Sequence, residues 1–144
     1  MNTVRGLLET KGYAVHSIGP DATVREALER MALVNVGALV VTEKGQLLGI
    51  LSERDYARKV VLHGRYSKDT LVREIMTADP VCVEPSQPIE LCMTLMTNRR
   101  IRHLPVLQDG KLMGVISIGD VVKAIIDEQK FEIQQLEQYI HGRP

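Results

Sequence analysis

The sequence predicts an α+β (mixed α/β) fold built from two copies of one unit of roughly fifty residues. Three observations predict it. First, the chain matches itself at an offset of 65: residues 20–55 lie on residues 85–120 without a gap, with nine identical pairs. Chance would supply about two, because common residues each make up roughly 5–7% of proteins. Second, each copy passes in the same order from helical apolar spacing to two short β-rich runs around a Gly-bearing turn. Third, each copy ends those runs on Gly-x-x-Ser-x-x-Asp, at Gly49, Ser52 and Asp55 and again at Gly114, Ser117 and Asp120.

The elements follow in order. Val4, Leu7 and Leu8 suggest a lead-in helix. A short strand at His16-Ser17-Ile18 ends in a proline turn, and Val81-Cys82-Val83 matches it. Apolar residues at i, i+3, i+4 and i+7 mark a helix through Val24, Ala27, Leu28 and Met31, and another through Ile89, Cys92, Met93 and Met96. Thr23-Val24-Arg25-Glu26 reads as a capping box that starts the first of these. Runs at 38–42 and 47–51, joined by Glu43-Lys44-Gly45-Gln46, form a hairpin; 104–107 and 112–116, joined by Gln108-Asp109-Gly110-Lys111, form its partner. A second helix begins at Ser52 and at Ser117.

Residues 63–70 are a polar linker, and 71–76 a short helix leading into the second copy. From 118 to 140 the chain reads as one long helix, with Val122, Ile125, Ile126, Ile133, Leu136 and Ile140 at helical spacing. The expected organisation is 1–64 for the first lead-in and copy, 65–128 for linker and second copy, and 129–144 for a C-terminal helical extension. One such unit has too small a core to stand alone, so the two are expected to bury their sheet faces as a pseudo-twofold pair with clefts between them.

Composition narrows the function. Lys plus Arg and Asp plus Glu number 18 each, which removes the electrostatic footprint of a general nucleic-acid binder. Phe131 and four tyrosines are the only aromatic residues, so base-stacking platforms are scarce. The start of the chain lacks a signal-type apolar region, and no apolar run approaches the ~20 residues of a membrane span. A cytoplasmic protein away from membranes is therefore expected. Cys82 and Cys92 have no metal or redox spacing, and His16, His63, His103 and His141 show no metal-ligand pattern. G-x-S-x-G, P-loop and G-x-G-x-x-G motifs do not occur, and the reading is a binding module rather than an enzyme.

Ser52-x-x-Asp55 and Ser117-x-x-Asp120 read as capping boxes that satisfy orphan amides at a helix start. An Asp there is an ionised acceptor, and the helix N-terminus beside it favours anions. Arg54 and Arg58, at i and i+4, and the segment Asn98-Arg99-Arg100-Ile101-Arg102-His103 are the basic candidates; each could equally be solvated surface.

In order and register these residues resemble the CBS domain, named after cystathionine β-synthase, in its tandem pair. The resemblance rests on Arg102-His103-Leu104-Pro105-Val106, on Gly49-Ile50-Leu51-Ser52-Glu53-Arg54-Asp55, on Gly114-Val115-Ile116-Ser117-Ile118-Gly119-Asp120, and on Ile75-Met76-Thr77 before Pro80-Val81. The first copy departs at Val36-Gly37-Ala38-Leu39-Val40, which lacks the basic residues and the proline.

The resemblance implies a free-standing regulatory pair binding an adenosine-containing ligand: AMP, ADP, ATP, NAD(H) or S-adenosylmethionine. It implies Asp55 and Asp120 as ribose ligands, with Ser52, Ser117 and Ile118 in the same motifs. Arg54, Arg58, Arg102 and His103 would meet phosphate. Thr77 would face the ligand of Asp55, and the Gly12-Tyr13-Ala14 segment that of Asp120. Gly37 and Ala38 would let adenine approach the backbone. The partners implied are an adenine nucleotide and an effector protein that the sequence does not identify. The apolar stripe beyond Asp127 adds the expectation of a homodimer. Two alternatives stand beside this reading: an interaction dimer without a ligand, and a regulator meeting nucleic acid through residues 98–103.

Overall fold

The computed structural model describes residues 2–141. It is mixed α/β, and its elements repeat at the expected offset. Helix α2 (Val24–Val34) answers to α5 (Ile89–Arg99), strand β2 (Ala38–Glu43) to β5 (His103–Gln108), and β3 (Gln46–Ser52) to β6 (Lys111–Ser117). Helix α2 starts where the Thr23 hydroxyl accepts a hydrogen bond from the Glu26 amide. Asn35 and Arg100, in the left-handed conformation, end α2 and α5. Lys44-Gly45 and Asp109-Gly110 carry positive φ at both residues, the twist that lets a two-residue turn join antiparallel strands.

Packing divides the chain differently from the repeat. One compact unit comprises the chain up to Tyr13, Cys82–Gln108 and the chain from Gly114; the other comprises Ala14–Val81 and Asp109–Met113. Helix α1 (Val4–Lys11) thus lies with the elements of the second copy. Its entry is held by main-chain bonds from Val4 to Gln87, from Arg5 to Pro85 and from Ile89 to Asn2. The short helix α4 (Val72–Ile75) is held in the same way within the other unit, by bonds from Val72 to Ala22, from Arg73 to Pro20 and from Val24 to Thr70.

In the second unit, β1 (Ser17–Ile18), β2, β3 and β4 (Thr77–Ala78) form a four-stranded sheet in that order; β1 runs parallel to β2, and the other pairings are antiparallel. Val24, Ala27, Met31, Leu39, Val41, Leu51, Val60, Val72 and Ile75 make its core. In the first unit Ile89, Cys92, Met96, Leu104, Val106 and Ile116 are buried at the matching positions, with Val4, Leu7 and Leu8 from α1. Cys92 stands where the other copy has Ala27, as a small buried hydrophobe, and burial pushes its thiol up to about 11.

Two segments differ from expectation. The run Val81-Cys82-Val83 does not form a strand; it makes one parallel bridge, Val83 to Val106. In the first copy the Val40 amide donates to the His16 carbonyl. The matching residue in the second copy is Pro105, which has no N–H to give, so the ladder is cut short. The helix after Ser52 is also irregular. Helix α3 (Glu53–Tyr56) passes into a π-helical segment, Ala57–Val61, whereas α6 (Ile118–Ile140) stays α-helical over 23 residues. A single 3₁₀ turn, Ser67–Asp69, lies in the linker.

Candidate ligand-binding sites

Each Ser-x-x-Asp segment is a complete capping box. The Asp55 amide donates to the Ser52 hydroxyl while the Ser52 amide and hydroxyl donate to Asp55 Oδ2, at 2.9 and 3.1 Å. In α6 the Asp120 amide donates to Ser117, and the Ser117 amide donates to Asp120 Oδ2 at 2.8 Å. Both carboxylates stay reachable, the Asp55 side chain 14% and the Asp120 side chain 24% exposed.

The same backbone logic gathers the neighbouring candidates. The Glu53 amide at the start of α3 donates to the Gly37 carbonyl, and Ala38 pairs with Ser52 in the sheet, so Gly37 and Ala38 lie against the first capping box. The Ile118 amide donates to the Arg102 carbonyl, which seats Arg102 and His103 against the second box. Thr77 pairs with Ile50 on the β3 edge, in the unit that holds Asp55, and is exposed. Tyr13 is exposed, in the unit that holds Asp120, two residues beyond the end of α1. Arg58 is exposed in the π-helical segment, and Arg54 is half-buried in α3. Of the basic run, Arg99 and Arg100 lie exposed at the end of α5.

Two lysines that sequence reasoning passed over complete the picture. Lys11, the last residue of α1, places its ammonium 2.6 Å from Asp120 Oδ2 and 2.5 Å from the Val115 carbonyl. Lys59 lies 3.1 Å from Asp55 Oδ1 and 2.9 Å from the Ile75 carbonyl. Lys59 follows Asp55 by four residues on one helix, a spacing that could have flagged it. Lys11 is 109 residues from its partner, and nothing local marks it.

Charge at the second box is set by burial and by Lys11. Burial pushes the Asp120 carboxyl up, but the Lys11 hydrogen bond, the Ser117 amide and the Lys11 charge outweigh it, and the net effect is a lowered pKa. His103 is held below its ordinary value first by burial and then by the Lys11 charge, with Asp120 opposing and Arg102 adding. Near neutral pH the imidazole is therefore uncharged, and the positive charge beside Asp120 comes from Lys11. Among the described residues no group of His, Cys, Asp and Glu is placed to hold a metal ion, and no helix is long and apolar enough to cross a membrane.

Comparison with known proteins agrees with this architecture. The CBS domain family matches residues 11–62 and 72–127. The chain is 42% identical over 149 residues to an Arabidopsis thaliana CBS domain-containing protein named as mitochondrial, covering 97% of this chain and 72% of that one. A solved structure of a protein with CBS domains from Burkholderia ambifaria is 49% identical, with a TM-score of 0.85 over 88% of this chain and 96% of that one. A CBS domain protein from Pyrobaculum aerophilum, solved in complex with AMP, is 28% identical, with a TM-score of 0.73 over 82% and 88% of the two chains. Two family matches, each enclosing one Ser-x-x-Asp helix start, place this chain in the CBS domain family.

Proposed function

We propose that this protein is a regulatory module that binds an adenine nucleotide and signals its ligand state to a partner protein. The observation that carries this reading is the twice-built helix start: an accessible Asp, fixed by its capping box, with a lysine beside it. A fixed carboxylate suits a vicinal diol, and a cation near a helix N-terminus suits phosphate. The AMP complex of the Pyrobaculum relative supports the choice of ligand. AMP leads the candidates, with ADP, ATP and NAD(H) sharing the same adenosine core. Chemistry on the ligand has no part in the reading. A cytoplasmic setting fits it, because adenine nucleotides circulate there.

Calorimetry tests the reading. AMP is expected to bind in the sub-millimolar range. Asp55→Ala and Asp120→Ala should each weaken one site by about ten- to a hundred-fold, the loss of a charge-assisted hydrogen bond of roughly 1.5–3 kcal/mol. Unchanged affinity in both variants would take ribose recognition away from these residues, and no binding by any nucleotide would leave the ligand-free interaction dimer as the better account.

A further inference from the structure

The two lysines make one arrangement by two routes. Each ammonium bridges the capping-box carboxylate and a main-chain carbonyl of another element: Lys11 spans Asp120 and Val115, and Lys59 spans Asp55 and Ile75. They are not repeat partners. At the offset of 65, Lys59 answers to Ala124 and Lys11 to Met76. The two copies therefore do not share this lysine in sequence, and each carboxylate meets its counter-ion by a different route.

The two sites nonetheless differ in what a ligand would meet. Both oxygens of Asp55 are engaged, Oδ2 by Ser52 and Oδ1 by a lysine on the same helix. At Asp120 the Ser117 amide and Lys11 converge on Oδ2, and the Ser117 side chain bonds the same carboxylate. Its lysine also comes from a separate element, the end of α1. A diol reaching for Asp120 Oδ2 must displace Lys11 from it.

We infer that Lys11 selects phosphorylated nucleosides at the Asp120 site, leaving the carboxylate for the phosphate when a nucleotide binds; this rests on the nucleotide-binding reading above. The Lys11 side chain is 35% exposed, so an ammonium that leaves the carboxylate stays partly solvated, and a phosphate that receives it restores a charge-assisted hydrogen bond beside the ligand. AMP brings that anion; adenosine does not. The four-carbon stem gives Lys11 the reach to exchange one anion for the other without moving the main chain of α1.

The test is calorimetry with AMP and adenosine on the full chain carrying Asp55→Ala, so that one site is read. AMP should bind at least about ten-fold more tightly than adenosine. Lys11→Met should collapse that ratio, weakening AMP while leaving adenosine unchanged or tighter. Lys11→Arg, which keeps the charge, should preserve it, which separates loss of charge from damage to α1. If AMP binds and its ratio to adenosine is the same in Lys11→Met, the role of Lys11 is overturned while the nucleotide reading survives. If the unmutated chain binds neither molecule, both fall.

Discussion

His103 shows how a single side chain can report on its surroundings. It lies half-buried between Lys11, Arg102 and Asp120, and its pKa is lowered, first by burial. The unfolded chain then takes up this proton at a higher pH than the folded one. The neutral-pH stability is present above the ordinary value of ~6.5 and is lost as pH falls through the lower folded value. Asp120 has the same sign in a lower window: its pairing stabilises above the ordinary carboxyl value of ~3.9 and is lost on acidification below it. Melting temperatures taken from about pH 7 down to about pH 5 should fall, and His103→Asn should flatten that slope. A variant with the slope of the parent chain would show that another group carries it. The capping boxes of Asp55 and Asp120 rest on local spacing, which is why they were legible; the lowered pKa of His103 was not, because burial is a property of the fold.

At the scale of elements, the repeated glycines are not interchangeable. A Cβ on Gly49 would sit 2.6 Å from the Thr77 carbonyl oxygen, main chain that can yield only if β4 shifts. A Cβ on Gly114 would meet a terminal methyl of Leu8 at 2.9 Å, a side chain that can turn even though it is buried. Overpacking costs typically about 1–3 kcal/mol, so Gly49→Ala should fall at the upper end and Gly114→Ala at the lower. Chemical denaturation of both variants decides, and equal losses would contradict the distinction between main chain and side chain. Both contacts come from lead-in segments, β4 with Met76 in one case and α1 in the other. The repeat identified the glycines, but only packing shows what each one makes room for.

At the scale of the molecule, α6 is the feature the repeat does not explain. Ile133, Leu136 and Ile140 are 54%, 62% and 75% exposed, an apolar stripe beyond the last buried residue of the helix, Val121, and Phe131, 59% exposed, lies on the opposite face. Ile126, Ile133 and Ile140 recur every seven residues, with Val122 and Leu136 four before the first and the last of them. That is the spacing of a coiled-coil seam, with Gln129 as one polar layer. A second copy of the chain is the occupant this pattern suits, since a twofold contact covers both stripes and closes the association. Analytical ultracentrifugation should find a dimer at tens of micromolar, and truncation after Asp127 should shift it toward monomer with AMP affinity largely kept. A full-length monomer would end the idea, and a dimer untouched by truncation would move the contact elsewhere.

Unlike the strand β4 and the π-helical segment, the duplication, the helix and hairpin of each copy, the hairpin turns and the Ser-x-x-Asp helix starts were readable from the sequence by itself. Each is written in residues within a few positions of one another: apolar spacing at i, i+3, i+4 and i+7, a Gly in each turn, a Ser three before an Asp. The tertiary structure alone decided that α1 packs with the elements of the second copy, that Pro105 cuts the parallel ladder to one bridge, and that Lys11 closes on Asp120. Those outcomes depend on main-chain donors and acceptors meeting across long separations, Val4 with Gln87 and the Lys11 ammonium with the Val115 carbonyl. Every residue type carries the same main-chain groups. Only the folding of the chain determines which of them come within reach of one another.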